Sequence, residues 1–330
     1  MKYTAITLGD INGIGPEIAL KSVYTHRWPR DRRFVFVGDD EVLRTYADML
    51  DVPNPPSWNP ANPFPARKKA VCWNPYKKKV SLYPGKIRVD AARAAVCWIR
   101  SAVEQCLAGR FAGMVTAPIC KEGLKKAGFS MPGHTEYLAE CCGTSRFAMM
   151  LIGGPLRVLL VTRHLPLRRV ADAVTRENVR GAIAIAAEAL PWLGCSKGRI
   201  GVCGLNPHAG DGGAIGDEEQ RIIRPAVMAM RRRGIPAEGP VPPDVMFYQA
   251  LHGQYDVVVA MYHDQGLGPL KMLAFESGVN VTLGLPMVRT SPDHGTAFDI
   301  AGTCRADATS MSAALKLAGK LSARTNPWKK

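Results

Sequence analysis

Five of the seven histidines fall in short loops rich in glycine and proline. The loops are Pro132-Gly133-His134-Thr135-Glu136, Arg163-His164-Leu165-Pro166, Asn206-Pro207-His208-Ala209-Gly210, Tyr262-His263-Asp264-Gln265-Gly266 and Ser291-Pro292-Asp293-His294-Gly295. Each follows a strand-like run or sits at a Gly/Pro break. That places it at a strand's carboxyl end, where α/β proteins build their sites. One such histidine is more often structural than functional; five in equivalent positions point to metal chemistry. Imidazole is the commonest metal ligand, and three neutral imidazoles with open positions make a catalytic site, not a closed structural one.

The run from Ala260 to Gly302 carries His263, Asp264, Lys271, Asn280, Arg289, Asp293 and His294 at or near loop positions. Lys271 and Arg289, flanked by glycines and short strands, read as cleft-facing cations for a phosphate or carboxylate, against the alternative of solvated surface charge. Near the amino end, Gly9-Asp10-Ile11-Asn12-Gly13-Ile14-Gly15-Pro16-Glu17 follows the first strand-like run. Its glycines allow a tight turn and Pro16 suits the first position of a helix. It is no dinucleotide fingerprint, because Ile18 stands where the third glycine of that motif would fall.

The elements that must position these residues alternate β-rich and helical runs, the pattern of an α/β fold. Residues 3–8, 33–37, 113–116, 147–152, 156–161, 199–203, 256–260 and 279–283 read as strands, several of them continuously apolar, as expected of strands covered on both faces. Residues 89–107 read as a helix, with Ala92, Val96, Ile99, Val103 and Cys106 at helical spacing. A second helix is predicted from Gly216 to Arg233, its acidic opening (Asp217, Glu218, Glu219) and basic close both matching the helix dipole. The stretch 52–65, with six prolines, predicts an irregular surface excursion.

At 330 residues the chain is long enough for two lobes, since single cores stop growing near ~250–300 residues. Its net charge of +15 is dispersed and unaccompanied by aromatic interleaving or a nucleic-acid motif. A basic field that attracts anionic substrates explains it better than nucleic-acid binding. The most apolar stretch, Phe147 to Val161, is broken by Gly153, Gly154, Pro155 and Arg157 and is too short to span a bilayer. No signal-peptide pattern opens the chain, and nine cysteines without C-x-x-C spacing predict reduced, mostly buried thiols and a cytoplasmic protein.

The runs GIGPE (13–17), TAP (116–118), GHTE (133–136), HLPL (164–167), GLNPHAG (204–210), AMYHDQG (260–266), GVNVTLGLP (278–286) and RTSPDHGTA (289–297) stand in this order along the chain. With them the sequence resembles the 4-hydroxythreonine-4-phosphate dehydrogenase family of pyridoxal phosphate biosynthesis, in register from Leu8 to about Leu317. The resemblance implies a two-lobed α/β/α architecture like that of isocitrate and isopropylmalate dehydrogenases, with the active site in the interlobe cleft. One lobe would comprise 1–130 and 286–330, and the other, 131–285, would hold most ligands.

The resemblance further implies a homodimer whose divalent metal (Zn, Mg or Co) is bound by His164, His208 and His263, drawn from both subunits. Substrate contacts would be His134, Thr135, Lys271, Asn280 and Arg289, with Asp244 an acidic residue near substrate and metal. The expected reaction is NAD- or NADP-dependent oxidation of a small phosphorylated hydroxy acid; no residue is assigned to the dinucleotide. Asp244 and Lys271 are the catalytic candidates, and a hydroxide on the metal is a third possible base. Ile11 replaces the family's usual proline, Cys120 stands where relatives carry Asn or His, and Arg163 adds a cation beside His164. These departures keep threonate and erythronate phosphates in view as substrates, while Lys271, Asn280 and Arg289 disfavour a cyclic dihydrodiol.

Overall fold

The computed structural model describes residues 2–130, 133–195 and 198–329, so Pro132 of the first histidine loop lies outside the described residues. The chain separates into two compact units, Met1–Ser145 with Leu285–Lys330, and Arg146–Gly284. The first division falls at 145/146, whereas the sequence reading put it at 130/131. The helix at 134–141 packs on the long helix of the first unit, which takes His134 and Thr135 into that unit.

In chain order the first unit begins with β1 (Lys2–Thr7), α1 (Gly15–Tyr24), β2 (Arg32–Val37), α2 (Asp40–Leu50), β3 (Ala70–Trp73), α3 (Val89–Leu107), β4 (Gly113–Thr116), α4 (Lys121–Lys126) and α5 (His134–Cys141). The second unit runs β5 (Ala148–Gly153), β6 (Leu156–Leu160), α6 (Val170–Ala173), α7 (Arg176–Leu193), β7 (Ile200–Cys203), α8 (Arg224–Arg232), β8 (Ala237–Val241), α9 (Pro243–Leu251), β9 (Val257–Ala260), α10 (His263–Ala274) and β10 (Val279–Leu283). The chain then returns to the first unit as β11 (Arg289–Pro292) and α11 (Thr309–Leu321).

In the first unit the strands lie in the order β3-β2-β1-β4-β11 and pair in parallel. Of the strands expected at 33–37 and 113–116, residues 34–37 and 113–116 are buried there, and so is every residue of α3 named for its spacing. Gly9 turns the chain out of β1 at φ +66, where a Cβ would collide with the carbonyl oxygen of Pro118. The proline-rich excursion contains no helix and only an isolated bridge, Ser57 to Cys72. Aromatic stacking pins it to β1, with the rings of Tyr3 and Phe64 4.9 Å apart.

In the second unit the order is β10-β5-β6-β9-β7-β8. β5 is antiparallel to both of its neighbours, β10 and β6, while β6, β9, β7 and β8 run parallel. Met149, Leu151, Val158, Leu160, Val258, Phe247 and Leu270 belong to the core cluster that joins this sheet to α9 and α10. At ~25 cal/mol per Å² of apolar area removed from water, such burial is the main force seating the strands.

Three strands were not anticipated. β3 has only four residues, β8 contains Gly239 and Pro240, and β11 reads RTSP. Proline removes a ladder donor, which β8 tolerates because it ends the strand order. All four residues of β11 are buried, Arg289 among them, so a charged and hydroxylic strand occupies core space.

The helix expected from 216 to 233 is also different. A π-helical turn, Glu219–Ile223, precedes α8. Pro225 has no N–H to give to the carbonyl of Arg221, and that oxygen accepts from Arg176 Nε at 2.7 Å instead. All nine cysteines are among the described residues, none is exposed, and no disulfide links them. Among the described residues no helix is long and apolar enough to cross a membrane.

Candidate active site

Because β6, β9, β7 and β8 are parallel neighbours, their carboxyl ends open at one end of the sheet of the second unit. The loops that leave them carry, in that lateral order, His164, His263, His208 and Asp244. The β6–β9 ladder extends past both strands: Val161 N–H donates to Ala260 O at 2.9 Å, and Thr162 donates to Met261 O through both its N–H and its hydroxyl. Two residues beyond that clamp on each strand come His164 and His263, with ring centroids 5.6 Å apart and planes inclined by 45°.

His263 Nδ1 is 2.7 Å from the carboxylate of Asp264. A carboxylate on one ring nitrogen fixes tautomer and orientation and leaves Nε2 as the donor, the usual setting of a metal-ligating imidazole. No metal is part of this structure, but the donor chemistry fits a divalent cation that accepts nitrogen and oxygen ligands. His208 does not join the pair. Among the described residues of one chain, no three His, Cys, Asp or Glu side chains converge as a metal site. The predicted triad is thus brought together as two plus one.

The separation of His208 has a local cause. After Asn206 and Pro207 the backbone turns left-handed, with φ of 52°, 53°, 82°, 43° and 65° from His208 to Gly212. Only glycine adopts that region freely, and each other residue costs of order 1 kcal/mol or more. A cavity of about 560 Å³ opens beside this turn, lined by Leu205, Asn206, Asp244, Tyr262, Asp264 and Gln265 among others. Asp244 lies at the start of α9 and is exposed. It therefore shares a cavity with the carboxylate that orients His263. Lys271, half-buried on α10, places its ammonium 5.5 Å from the ring centroid of Phe275. Asn280 on β10 is half-buried, and its Oδ1 is buried without a hydrogen-bond partner. An acceptor in that state is held ready for an outside donor.

A second group of predicted residues gathers in the first unit. Arg289 is 2% exposed and donates from Nη2 to Thr116 Oγ1 at 2.7 Å. Burial pulls its pKa down to about 9, with nearby Glu136 opposing, so the guanidinium stays charged at neutral pH. Burial also holds the His134 imidazole well below its usual range, assisted by the charges of Arg289 and Lys121. His134 is consequently neutral, and its buried Nε2 makes no hydrogen bond. Thr135 is buried in the first turn of α5. A neutral imidazole, a buried cation and the start of a helix suit a phosphate or carboxylate oxygen. His294, the fifth loop histidine, is exposed and turns its Nδ1 to Gly295 O at 3.0 Å.

A match to the family described as "Pyridoxal phosphate biosynthetic protein PdxA" spans residues 30–318. The chain belongs to that family. It is 44% identical to a 4-hydroxythreonine-4-phosphate dehydrogenase from Desulfosudis oleivorans, across 95% of this chain and 94% of the relative. It is 42% identical to a D-threonate 4-phosphate dehydrogenase from Pectobacterium atrosepticum, across 97% and 99%. The solved structure of a 4-hydroxythreonine-4-phosphate dehydrogenase from Klebsiella pneumoniae superposes with a TM-score of 0.86 at 41% identity, covering 98% of this chain and all of that one.

Sequence reasoning missed several residues of this candidate site. Asp264 was placed in a histidine loop but given no role, although an acid directly after a candidate ligand is the available signal. Glu219 was read as complementing a helix dipole; it is 1% exposed and bonds back to the loop before His208. Gln265 is buried, accepting from Met261 N–H at 2.7 Å and donating to Gly204 O at 2.8 Å. No spacing rule in the sequence identifies those bonds.

Proposed function

We propose that this chain is an NAD(P)- and divalent-metal-dependent dehydrogenase. It would oxidise 4-phosphohydroxy-L-threonine to 2-amino-3-oxo-4-phosphooxybutanoate, which decarboxylates to 3-amino-2-oxopropyl phosphate. The observation that carries the reading is the His164–His263 pair with Asp264 on Nδ1 of His263, beside a cavity that includes Asp244. His164, His208 and His263 would hold the metal. When bound, a divalent cation supplies charge that lowers the pKa of a substrate hydroxyl and stabilises developing negative charge.

The chain's own residues would do the rest. Arg289 and neutral His134, with Thr135 at the start of α5, would bind an anionic end of the substrate. Lys271 and Asn280 would bind polar groups of the same molecule and fix its orientation. Asp244 or Lys271 would take the proton of the alcohol as hydride passes to the nicotinamide. The separation of His208 from the other two histidines supports a homodimer in which each metal draws ligands from two chains.

A second reading is a D-threonate or D-erythronate 4-phosphate dehydrogenase, favoured by an identity to a relative named D-threonate 4-phosphate dehydrogenase nearly equal to that with one named 4-hydroxythreonine-4-phosphate dehydrogenase. An NAD(P)H absorbance assay separates them, using 4-phosphohydroxythreonine, phosphothreonate and phosphoerythronate, each with and without Zn²⁺ or Mg²⁺. Turnover of the first substrate alone supports the main reading. Turnover of the sugar-acid phosphates in its place moves the chain to the second, and no reduction of NAD or NADP with any of them overturns both.

A further inference from the structure

The loop that carries His208 is built around one buried carboxylate. Glu219, in the π-helical turn, is 1% exposed. Its Oε1 accepts from the backbone N–H groups of Leu205 and Asn206, each at 2.7 Å, and its Oε2 accepts from Asn206 Nδ2 at 2.9 Å. The Asn206 amide also donates to Glu218 Oε2 at 2.7 Å. The loop is shaped to admit this group: a Cβ at Gly210 would lie 2.7 Å from Glu219 Oε2, and one at Gly204 would lie 3.1 Å from Oε1. Gln265 then ties Gly204 O to Met261 N–H, joining the start of the His208 loop to the start of the His263 loop.

This construction answers a conformational problem. His208, Ala209 and Asp211 all have positive φ, which a non-glycine residue adopts only when its surroundings over-determine it. Between β7 and that turn, Leu205 and Asn206 would otherwise leave two N–H groups without partners, and a charged acceptor bonds such groups more strongly than a neutral one. The carboxylate supplies the missing acceptors on the very residues that lead into the turn.

From this we infer that Glu219 is the positioning residue of the His208 loop: it touches neither substrate nor metal, and fixes the direction from which His208 is presented. The inference rests on the reading of His208 as a metal ligand only for its consequence, not for the geometry. A carboxylate here differs from an ordinary helix-opening acid because its bonds run back to an earlier loop and not to its own helix.

The test compares the full-length wild type with Glu219→Gln, Glu219→Ala and His208→Ala. Amide hydrogen exchange across 204–213 is read without metal, and Co²⁺ affinity and its visible spectrum are read by titration. In Glu219→Ala the Leu205 and Asn206 amides should lose protection, and Co²⁺ affinity should fall by about 10–100-fold, as for loss of other groups that orient metal ligands. Glu219→Gln keeps an oxygen for both N–H groups but turns an NH2 toward the Asn206 amide, which needs an acceptor there. It should therefore recover the protection of Leu205 and Asn206 in part, and an affinity between those of Glu219→Ala and the wild type. It also serves if the alanine variant fails to fold. Unchanged protection in Glu219→Ala overturns the inference. So does lost protection with unchanged Co²⁺ affinity and spectrum, provided His208→Ala itself weakens Co²⁺. If His208→Ala binds Co²⁺ like the wild type, the metal reading fails by itself and the exchange result alone decides the role of Glu219.

Discussion

His164 and His263 face each other with ring centroids 5.6 Å apart although they stand on different strands and far apart in the chain. The spacing comes from the β6–β9 ladder, which clamps Thr162 to Met261 immediately before both histidines. Rigid strand ends position side chains more precisely than free loops do, so the fold itself sets the pair.

Asp264 should matter through the histidine it orients. Asp264→Asn removes the carboxylate from His263 Nδ1 while keeping the side chain's shape. Metal affinity is expected to fall about 10–100-fold with little change in melting temperature, since the side chain is exposed. Titration with Zn²⁺ or Co²⁺ checks this, and unchanged affinity would show that His263 is oriented by something else.

A mixing experiment addresses the ligands' origin. If the proposed homodimer holds, the His208→Ala and His263→Ala variants should each be inactive. If those histidines serve one site from opposite subunits, a mixed dimer holds one intact site and one lacking both. Refolding the two variants together should then restore part of the wild-type turnover. Absence of recovery despite demonstrated subunit exchange would place the ligands in one chain.

Arg289 is a buried cation of the first unit, anchored to Thr116. Arg289→Ala should lower kcat/KM by roughly 10²-fold or more, about 3 kcal/mol of lost charged contact. Arg289→Lys should recover only part of this, because an ammonium cannot reproduce the planar guanidinium fork. Steady-state kinetics decide it, with thermal unfolding as a check on folding; wild-type constants in both variants would move the anion site elsewhere.

Asp10, 1% exposed, has its pKa raised from 3.8 to about 6, mainly by burial, with an added push from Asp90 against the pull of the Asn12 N–H. A raised folded-state pKa means that the native chain binds a proton more tightly than the unfolded one. This stabilisation is complete below pH 3.8 and is lost as pH rises through about 6. Asp10→Asn keeps the acceptor for Asn12 N–H and abolishes the titration. Above pH 6 the variant should be more stable than wild type by up to about 3 kcal/mol, and the gap should close on acidification toward pH 4. Urea unfolding across that range measures the difference, and a gap independent of pH would contradict it.

How much of this was legible in the sequence depends on the residue. Strands at 113–116 and 279–283 and the helix at 89–107 follow from local pattern, and the structure places them at those bounds. β11 was illegible because Arg-Thr-Ser-Pro is a poor strand by composition; its burial and its pairing with β4 decide it. The histidine loops could be found because glycine and proline punctuate strand ends. That His164 meets His263, and not His208, depends on strand order in the sheet and on backbone angles at 208–212. Both are properties of the assembled second unit. Glu219 shows the same limit: its partners precede it in the chain, across a loop, and no helical period predicts a bond in that direction.

The turn Glu219–Ile223 contains one residue more than an α-helical turn would use. Each residue of an α-helix advances by about 100° around the axis. Removing one residue from that turn would leave Ala226, Val227 and Met230 free to keep their seats in the core, while the side chain at 219 swung round the axis, away from Leu205 and Asn206. The phase between a buried helix face and one carboxylate is thus encoded in length and not in residue type. A single-codon deletion there would be a register error in the site that the rest of the fold could absorb.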